Sequence, residues 1–336
     1  MKRIIAALAA AAACAVPASG LAAAMPACHA HSVFAIAVHG GEITAKVDGS
    51  KRLPIMAAAL ALARQQLSHG ARSIDVVEEV VRIFEDSGAF NAGRGAIADS
   101  VGLVETDAAV MDGNGMRAGA VGSMTNLKNP IVAARLVMHA NRHVLMVGDR
   151  GQAYAIRLGA VQVPRSYFIY NHDVTRPAVP MHDATDHAEH GTVGAVALDR
   201  CGHLSAATST GGYDAKIPGR VGDSPLVGDG VYAADDTAAF SGTGWGEYYI
   251  RYNITKDAAD RMRYGHETLD RAMQDELFRI LKPLHADGGL IGVDRKGNVG
   301  LYYNSVGMFR GYATDREAPV VAEYTGITHS KPRSAQ

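Results

Sequence analysis

The sequence predicts an α+β protein in which sheets pack on each other and helices lie outside. Short strand-like runs dominate the middle of the 336-residue chain, helical runs occur in pairs, and the two do not alternate strictly as βαβ units. A hydrophobic content of 48% with 20% charged residues is typical of a globular protein with a sizeable core. The net charge of -1 gives no indication of binding to nucleic acid or to an anionic membrane.

The first half of the globular region predicts a strand, three helices and a hairpin. The run "SVFAIAVHGG" from Ser32 is typical of a short strand that ends in a Gly-Gly turn. Residues 53–69 form an Ala/Leu-rich helix, and Ser73 caps a second helix whose apolar residues recur with helical period. Two strands then flank an Asp-Gly-Asn-Gly turn, and Pro130 opens another helix.

The second half predicts two hairpins separated by two helices. The run "TVGAVALDRCGHLSAATST" is a hairpin with its turn at residues 200–203, and "LIGVDRKGNVGLYYN" is a hairpin with its turn at residues 295–297. The helices between them cover roughly residues 247–264 and 268–285.

The N-terminus has the layout of a secretory signal peptide. A positive start, Met1-Lys2-Arg3, precedes the apolar run "IIAALAAAAACAV" and the small residues at 22–24. We expect cleavage after Ala24, or otherwise after Ala30, and hence a periplasmic or secreted protein; a buried Ala-rich helix is the alternative. No later apolar run is long enough to predict a membrane span in the mature chain.

The cysteines do not predict a disulfide framework. Cys14 would leave with the signal peptide, so that Cys28 and Cys201, or Cys201 alone, would remain. The hydrophobic core must therefore hold the fold together.

A polar segment at about residues 171–191 predicts a solvent-exposed linker, because it has no apolar period and contains two prolines. It also carries side chains of the types that bind zinc or copper, which makes a secreted metal-binding protein an alternative function. No HExxH motif or cysteine pair fixes a geometry, so a solvated loop is the simpler interpretation. These side chains are His182, Asp183, Asp186, His187, Glu189 and His190.

The Gly191-Thr192 pair at the end of this segment suggests a programmed chain break. A threonine hydroxyl needs a base, and cleavage before Thr192 would give it its own α-amine, whose pKa of about 7.7–8.0 suits that task. Gly191 lacks a Cβ, so its carbonyl can be pressed against the hydroxyl for an N-to-O acyl shift. The apolar strand that follows would hold the nucleophile. Taken alone, the stretch also fits a turn that simply precedes a strand.

Several motifs together resemble the plant-type asparaginase or isoaspartyl peptidase family of N-terminal nucleophile hydrolases. They are "HGTVGAVALD", "ATSTGGYDAKIPGRVGDSPLVGDGVYA", "SGTGWGE" and "DGGLIGVD", preceded by "AVHGGE", "FNAGRGA", "MDGNGMRAGAVGSM" and "NPIVAARLVM". The resemblance covers residues 33–324. It implies a four-layer αββα sandwich, self-cleaved at Gly191-Thr192 into an α chain (31–191) and a β chain (192–336), with two such pairs associating as (αβ)2.

The resemblance also implies the catalytic roles. Thr192 would be the nucleophile, with Thr210 hydrogen-bonded to its hydroxyl or amine. Thr243 and Gly244 would form the oxyanion hole, which acyl transfer needs where negative charge develops. Asn91 would steady the nucleophile from the other subunit. Without the family, Thr210 would more simply cap a Gly-Gly turn, and the "SGTGWG" stretch would be a glycine-rich turn.

Substrate recognition follows from the same resemblance. Arg220 and Asp223 would bind the α-carboxylate and the α-ammonium of the substrate, and Gly246 would add a main-chain contact. A surface ion pair is the alternative interpretation of Arg220 and Asp223. The implied substrates are β-aspartyl dipeptides, L-asparagine or both, and a glycosylasparaginase-type amidase is the second candidate.

No cofactor is implied for catalysis, but the resemblance implies a structural sodium ion. Main-chain carbonyls would hold it, because a hard cation takes oxygen ligands and needs no side-chain signature. The carbonyls belong to Phe84, Glu85, Ser87, Phe90, Ala92 and Arg94.

Two residues depart from the family pattern. Glu42 follows "HGG" where the family more often has alanine and then glycine, and Trp245 stands in "TGWG" where a smaller residue is common. Both lie near the implied site, so they affect substrate preference rather than reaction type.

Overall fold

The computed structural model describes residues 30–170 and 190–331. The predicted signal peptide, nearly all of the predicted linker and the candidate metal ligands at residues 182–189 lie outside the described residues. Those expectations therefore stay predictions.

The described residues form twelve strands and seven α-helices. In chain order the strands are β1 (Ala35–Ile43), β2 (Thr106–Asp112), β3 (Arg117–Met124), β4 (Leu145–Val147), β5 (His190–Leu198), β6 (Leu204–Tyr213), β7 (Val231–Ala233), β8 (Ala238–Gly244), β9 (Gly288–Asp294), β10 (Val299–Tyr303), β11 (Gly307–Thr314) and β12 (Val320–Ala322). The α-helices are α1 (Arg52–Ser68), α2 (Ser73–Ser87), α3 (Pro130–Ala140), α4 (Gly148–Arg157), α5 (Gly246–Tyr252), α6 (Ile254–Tyr264) and α7 (Leu269–Gln274).

The strands form two sheets. The larger has the order β12-β11-β1-β5-β6-β2-β3-β4, and the smaller has the order β10-β9-β8-β7. All neighbours pair antiparallel except β3 and β4, which are parallel. Strand β5, which carries Thr192, is therefore central and is paired on both sides.

Side-chain alternation along β1 explains the layers. Ile36 and Val38 belong to the core between the large sheet and helices α1 to α3, whereas Ala35 and Ala37 belong to the core that includes the small sheet with α6 and α7. Successive residues of a strand point to opposite faces, so a strand buried on both faces must be apolar throughout. The predicted αββα sandwich is confirmed.

Most predicted elements are confirmed with boundaries within about one residue. They include α1, α2 and α3, the β2–β3 hairpin, the β5–β6 hairpin and the β9–β10 hairpin. The hairpins pair across short turns, and the helices repeat their apolar residues with helical period. Both signals come from neighbouring residues, which is why the sequence pattern alone identifies these elements.

The predicted Gly-Gly turn after β1 is wrong. The strand continues through both glycines to Ile43, with a bulge where its register to β11 shifts between His39 and Glu42. Gly41 has φ +103°, a conformation that suits glycine at such a bulge. The pairing with β11 resumes at Glu42, which faces Met308.

The predicted cap of α2 is also wrong. Ser73 is already the first helical residue, and its hydroxyl contacts the Ser205 hydroxyl at 2.8 Å. Its backbone N–H donates instead to the Asp199 carboxylate at 2.9 Å. A free helical N–H can be satisfied by any nearby acceptor, and here tertiary packing supplies it.

The two predicted C-terminal helices are more divided than expected. Asn253 adopts φ 49° and separates α5 from α6, and its side chain donates to Asp229 at 2.7 Å. The second helix starts at Leu269 and continues after Gln274 as a π-helical segment, Asp275–Leu281. Apolar periodicity does not show such a break, because the buried face continues across it.

Cys201 is disulfide-bonded, and its partner lies outside the described residues.

Within residues 30–170 and 190–331, no helix is both long and apolar enough to span a bilayer.

Candidate active site

The predicted nucleophile lies at the start of the central strand. Thr192 on β5 faces Thr210 on β6 in register, and the Thr192 hydroxyl donates to the Thr210 hydroxyl oxygen at 3.1 Å. Thr210 also accepts from the Gly212 backbone N–H at 2.9 Å. Both side chains are buried. The hairpin thus holds the Thr192 side chain from the neighbouring strand.

The predicted oxyanion residues come from the other sheet. Thr243 and Gly244 end β8, and the Thr243 hydroxyl oxygen accepts from the Glu42 backbone N–H at 3.3 Å. That acceptance leaves the hydroxyl proton free to donate to a developing oxyanion. The Tyr249 hydroxyl bonds the Thr243 carbonyl at 3.1 Å and the Gly289 carbonyl at 2.9 Å, which holds the strand end in place.

Arg220 and Asp223 lie beside this pair, in one small pocket with Thr192, Thr210 and Gly244. We call it the substrate pocket. Asp223 is buried, and one carboxylate oxygen has no hydrogen-bond partner among the described residues. Burial raises the pKa of Asp223 to about 7, although Arg220 opposes the shift. A buried carboxylate oxygen without a donor is well suited to an ammonium group.

Sequence reasoning missed Glu247, which anchors Arg220. The guanidinium donates through Nε at 3.0 Å and through Nη2 at 3.1 Å to the two carboxylate oxygens of Glu247, and it lies 4.6 Å from the centre of the Tyr213 ring. Such a two-point contact fixes the guanidinium plane. In the sequence, the position of Glu247 directly after "SGTGWG" was the feature that could have indicated its place at the site.

Gly246 lies in close contact with Asp223 and Arg220. A Cβ at this position would lie 2.6 Å from Asp223 Oδ1 and 2.8 Å from Arg220 Nη2. Any side chain here would displace the groups that face the substrate. The structure thus places Thr192, Thr210, Gly244, Arg220 and Asp223 in one pocket, with Gly246 directly behind Asp223; the catalytic and substrate-binding roles of these residues stay predictions.

Asn91 lies at the site within the single chain, and its predicted role from the other subunit stays a prediction. Its side chain donates to the Gly212 carbonyl at 2.5 Å and accepts from the Ile97 N–H at 3.0 Å. Its Cβ lies 3.3 Å from where a Cβ on Gly191 would be. The 3₁₀ turn at Gly93–Gly95 folds the loop back toward β6, which a linear pattern does not show.

His39 was also missed. It is fully buried at the β1 bulge, and its Nε2 contacts the Ser241 hydroxyl at 2.9 Å, which in turn contacts the Thr208 hydroxyl at 2.7 Å. Burial lowers the pKa of His39 to about 3, opposed by the Thr192 backbone. The ring is therefore neutral at physiological pH, and it packs beside the nucleophile's backbone without adding a charge.

The predicted sodium loop folds back closely on itself. A Cβ on Gly95 would lie 2.3 Å from the Phe90 carbonyl oxygen, and a Cβ on Gly93 would lie 2.9 Å from the Glu85 carbonyl oxygen. The Phe90 and Arg94 carbonyls each accept one backbone hydrogen bond. A carbonyl has a second lone pair, so these residues fit a hard cation.

The two departures from the family pattern both border the site. Glu42 is buried next to Thr243. Trp245 is 39% exposed, its ring packs edge-on against that of Tyr248 at 5.4 Å between centroids, and its backbone N–H donates to the Asp287 carbonyl at 3.2 Å. Trp245 thus forms the outer rim, whereas Glu42 lies inside.

Comparison with known proteins agrees with this geometry. Residues 32–323 match the family model described as asparaginase. An isoaspartyl peptidase of Salmonella typhimurium is 41% identical over 308 residues, which cover 86% of this chain and 98% of that protein. An isoaspartyl peptidase of Escherichia coli is 39% identical over 86% of this chain and 95% of its own. A plant-type L-asparaginase of Pyrobaculum calidifontis is 36% identical over 84% of this chain and 97% of its own.

The match to the asparaginase family model spans far more than half of the chain. The three relatives are each more than a third identical to this chain over nearly their full length. The αββα sandwich and the pocket built around Thr192, Gly244 and Arg220 agree with that match. The chain therefore belongs to the asparaginase family, among the isoaspartyl peptidases and plant-type L-asparaginases of the N-terminal nucleophile hydrolases.

Proposed function

We propose that this protein is a self-cleaving threonine amidohydrolase that acts on β-aspartyl dipeptides, on L-asparagine or on both. The observation that carries the proposal is the substrate pocket, in which Thr192, the oxyanion residue Gly244 and the Arg220–Asp223 pair share one small cavity. These groups match a substrate that has a free α-carboxylate, a free α-ammonium and a side-chain carbonyl.

Maturation would come first. The Thr192 hydroxyl oxygen attacks the Gly191 carbonyl, the peptide nitrogen of Thr192 leaves as the new α-amine, and water hydrolyses the resulting ester to release the Gly191 carboxylate. A Cβ on Gly41 would lie 2.6 Å from Gly191 Cα, so the β1 bulge packs closely against Gly191, whose carbonyl is attacked. Gly41 has no side chain, and this close approach is possible for that reason.

Substrate hydrolysis repeats the same chemistry. The α-amine of Thr192 takes the hydroxyl proton, and the hydroxyl oxygen attacks the substrate side-chain carbonyl. Thr243 and Gly244 stabilise the oxyanion. The leaving amine accepts the proton, and water then attacks the aspartyl ester to release aspartate. Arg220, held by Glu247, fixes the α-carboxylate through this sequence.

Intact mass spectrometry of the purified protein and of Thr192→Ala tests the proposal. We expect two fragments that meet at Gly191-Thr192 in the wild type, and one uncut, inactive chain in the variant. Thr192→Ser should still cleave, since serine keeps the hydroxyl. An uncut Thr192→Ala chain with full β-aspartyl dipeptidase activity would falsify the nucleophile assignment.

Further expectations accompany this proposal. We propose that the protein is exported to the periplasm or secreted, that it assembles as (αβ)2, and that the carbonyl loop of residues 84–94 binds sodium. If sodium has this role, replacing it with a large organic cation lowers the melting temperature without changing the cleavage site.

The second candidate function is a glycosylasparaginase-type amidase, which would use the same pocket. Turnover of a β-aspartyl dipeptide and of N-glycosylated asparagine by one preparation separates the two. The remaining candidate, metal binding by the linker, is tested by zinc uptake of His187→Ala/His190→Ala. Uptake equal to that of the wild type would exclude it.

A further inference from the structure

Cys201 lies in the turn that joins β5 to β6, and it is disulfide-bonded. Its backbone N–H donates to the Asp199 carboxylate at 2.8 Å, and the same oxygen accepts from the His203 N–H at 3.0 Å. The other carboxylate oxygen of Asp199 accepts from the N–H of Ser73, at the start of α2, at 2.9 Å. A carboxylate that binds three backbone donors fixes the turn, so Cys201 has a defined place in it.

The segment that contains His31 packs on this turn. The His31 backbone N–H donates to the Arg200 carbonyl at 2.8 Å, and Arg200 Nε donates back to the His31 carbonyl at 2.8 Å. Arg200 Nη1 also donates to the Ser68 carbonyl, at the end of α1, at 2.9 Å. His31 and Cys201 line one cavity of about 300 Å³. His31 therefore lies beside Cys201.

Two cysteines precede His31 in the sequence, Cys14 and Cys28. Cys28 stands three residues before His31, a stretch that spans at most about 11 Å. A disulfide joins Cα atoms that are about 4.4–6.8 Å apart, so Cys28 is within reach of Cys201. Cys14 lies in the apolar run of the predicted signal peptide and would be removed with it. Cys28 is therefore the cysteine that is both near enough and retained.

The disulfide of Cys201 crosses the proposed cut. Cys201 follows Thr192, whereas both other cysteines precede Gly191. The bond therefore joins the predicted β chain to a segment on the N-terminal side of the cut. Hydrolysis of the Gly191-Thr192 peptide bond would leave it as a covalent connection between the two fragments.

We propose that Cys201 is bonded to Cys28 and that this disulfide is the covalent link between the two chains of the mature enzyme. The inference rests on the proposed self-cleavage. It adds a modification site to this protein, and it also decides between the two expected signal cleavage points. Cleavage after Ala24 keeps Cys28, whereas cleavage after Ala30 removes it. The mature chain therefore begins at Met25.

Formation of the bond is an oxidation that needs an electron acceptor. Two thiols lose two protons and two electrons, and the acceptor is a disulfide-bearing oxidoreductase of the compartment to which the protein is exported. One cysteine thiolate attacks a sulfur of that disulfide, and the second thiolate then displaces the oxidoreductase from the mixed disulfide. The oxidoreductase leaves as a dithiol, and the bond between Cys28 and Cys201 remains.

The link acts on the unfolded state more than on the folded one. Strand pairing and the buried core already hold the two chains together in the folded protein. When the protein unfolds, unlinked chains separate, whereas linked chains stay close to each other. The disulfide therefore lowers the entropy of the unfolded state and stabilises the folded enzyme. Catalysis should not depend on it, because the turn and Thr192 are at opposite ends of β5.

Intact mass spectrometry of the exported wild type under denaturing conditions, without and with a reductant, tests the link. Before reduction we expect one species with the mass of residues 25–336 plus one water and minus two hydrogens, and after reduction we expect two chains. Peptide mapping should find Cys28 joined to Cys201.

Serine variants provide the matched comparison. Cys28→Ser and Cys201→Ser should each give two separate chains without reductant, whereas Cys14→Ser should keep the link. The melting temperature of Cys28→Ser should lie about 5 °C below that of the wild type, with kcat/KM for a β-aspartyl dipeptide unchanged. The wild-type comparison needs no variant, so it decides the question even if the serine variants do not fold.

Two unlinked chains in the unreduced wild type, or a free Cys201 thiol, would overturn the inference. A mature chain that begins at His31 would overturn it as well. Failure of the proposed function would look different, because the reduced sample would then remain one uncut chain. In that case the peptide map alone decides whether Cys28 is the partner of Cys201.

Discussion

At the scale of single residues, the site depends on groups that hold other groups in position. Thr210 accepts from the proposed nucleophile Thr192, the Glu42 backbone donates to the Thr243 hydroxyl, and Glu247 orients Arg220. Each of these contacts joins segments far apart in sequence or on different strands. Misplacement of a reacting group by about 1 Å can cost a hundredfold in rate, so these contacts are expected to matter for catalysis.

Removing the Glu247 carboxylate should weaken substrate binding more than it slows chemistry. In Glu247→Gln the two-point contact on Arg220 loses its charge, and the guanidinium gains freedom. We expect KM for asparagine to rise about tenfold, with a smaller change in kcat. Asp236→Asn, which removes an exposed ion pair with Arg263, should leave KM unchanged. An equal effect of both variants would argue against the anchoring role.

The pH dependence of binding should report Asp223. Its pKa is raised to about 7 by burial, so the free site holds a neutral acid below that pH and a carboxylate above it. Only the carboxylate pairs with an ammonium group. We therefore expect KM for asparagine to fall as pH rises through about 7, while kcat changes less. Steady-state kinetics from pH 5.5 to 8.5 measure this, and a KM that is constant over the range would contradict it.

At the scale of elements, the β1 bulge is the feature that connects the large sheet with the proposed cleavage site. It lets β1 pair with β11 on both sides of the glycines while Gly41 approaches Gly191. The strand pairing on either side fixes this approach, so the bulge cannot easily move away.

Gly41→Ala should therefore slow maturation. The substitution adds a Cβ 2.6 Å from Gly191 Cα at a residue with φ +103°. Gly219→Ala is the matched control, since it has a comparable φ of +84° but no atom within 4 Å of the new Cβ. We expect at least about tenfold slower appearance of the cleaved chains in Gly41→Ala. Equal rates for the two variants would show that contact with Gly191 is unimportant.

Helix α2 is joined to two neighbours by a buried carboxyl. Glu85 accepts from the Ser209 hydroxyl at 2.7 Å and from the Ile131 N–H at 3.0 Å. Burial raises the pKa of Glu85 to about 8. The folded protein thus holds a proton that the unfolded chain releases near its ordinary pKa of about 4.3. Its contribution to stability declines as pH rises from about 4.3 to about 8.

Glu85→Gln should remove this pH-dependent loss, because glutamine stays neutral. We expect the melting temperature of the variant, relative to the wild type, to increase between pH 5 and pH 8.5. Thermal unfolding at several pH values measures the difference. Glu79→Gln changes a half-exposed carboxylate on the same helix and provides the comparison. A difference for Glu85→Gln that does not vary with pH would contradict the assignment.

At the scale of the whole molecule, the proposed cut does not divide the core. The proposed cut lies near the N-terminal end of β5, which is paired with β1 on one side and with β6 on the other. β1 also pairs with β11, from the far end of the chain. The large sheet is thus built from parts of both predicted fragments, and the pairing of β5 with β1 and β6 from Thr192 onward lies entirely on one side of the cut.

The two fragments should therefore remain together after maturation. Size-exclusion chromatography under native conditions should give one species that contains both, and denaturant should be needed to separate them. The buried apolar faces of β1 and β5 exclude water, so separation would expose a large apolar area. Independent elution of the fragments in native buffer would contradict this.

The sequence identified the local elements and the chemistry-bearing residues. Strand and helix periodicity, turn residues and the motif contexts around Thr192 and Arg220 are local, and they located the hairpins, α1 to α3 and the residues of the substrate pocket. The bulge at Gly41, the break at Asn253 and the acceptor for Ser73 were missed, because each depends on a partner distant in sequence.

By itself, then, the sequence determined the layer architecture, the family resemblance and the candidate nucleophile, since period-two and helical patterns and contiguous motifs are written in neighbouring residues. Only the tertiary structure decided which residues support them. His39 and Glu247 reach the site through contacts with Ser241 and Arg220, and Glu42 becomes a buried acid beside Thr243. Burial and charge proximity arise from packing of distant segments, so no local pattern encodes them directly.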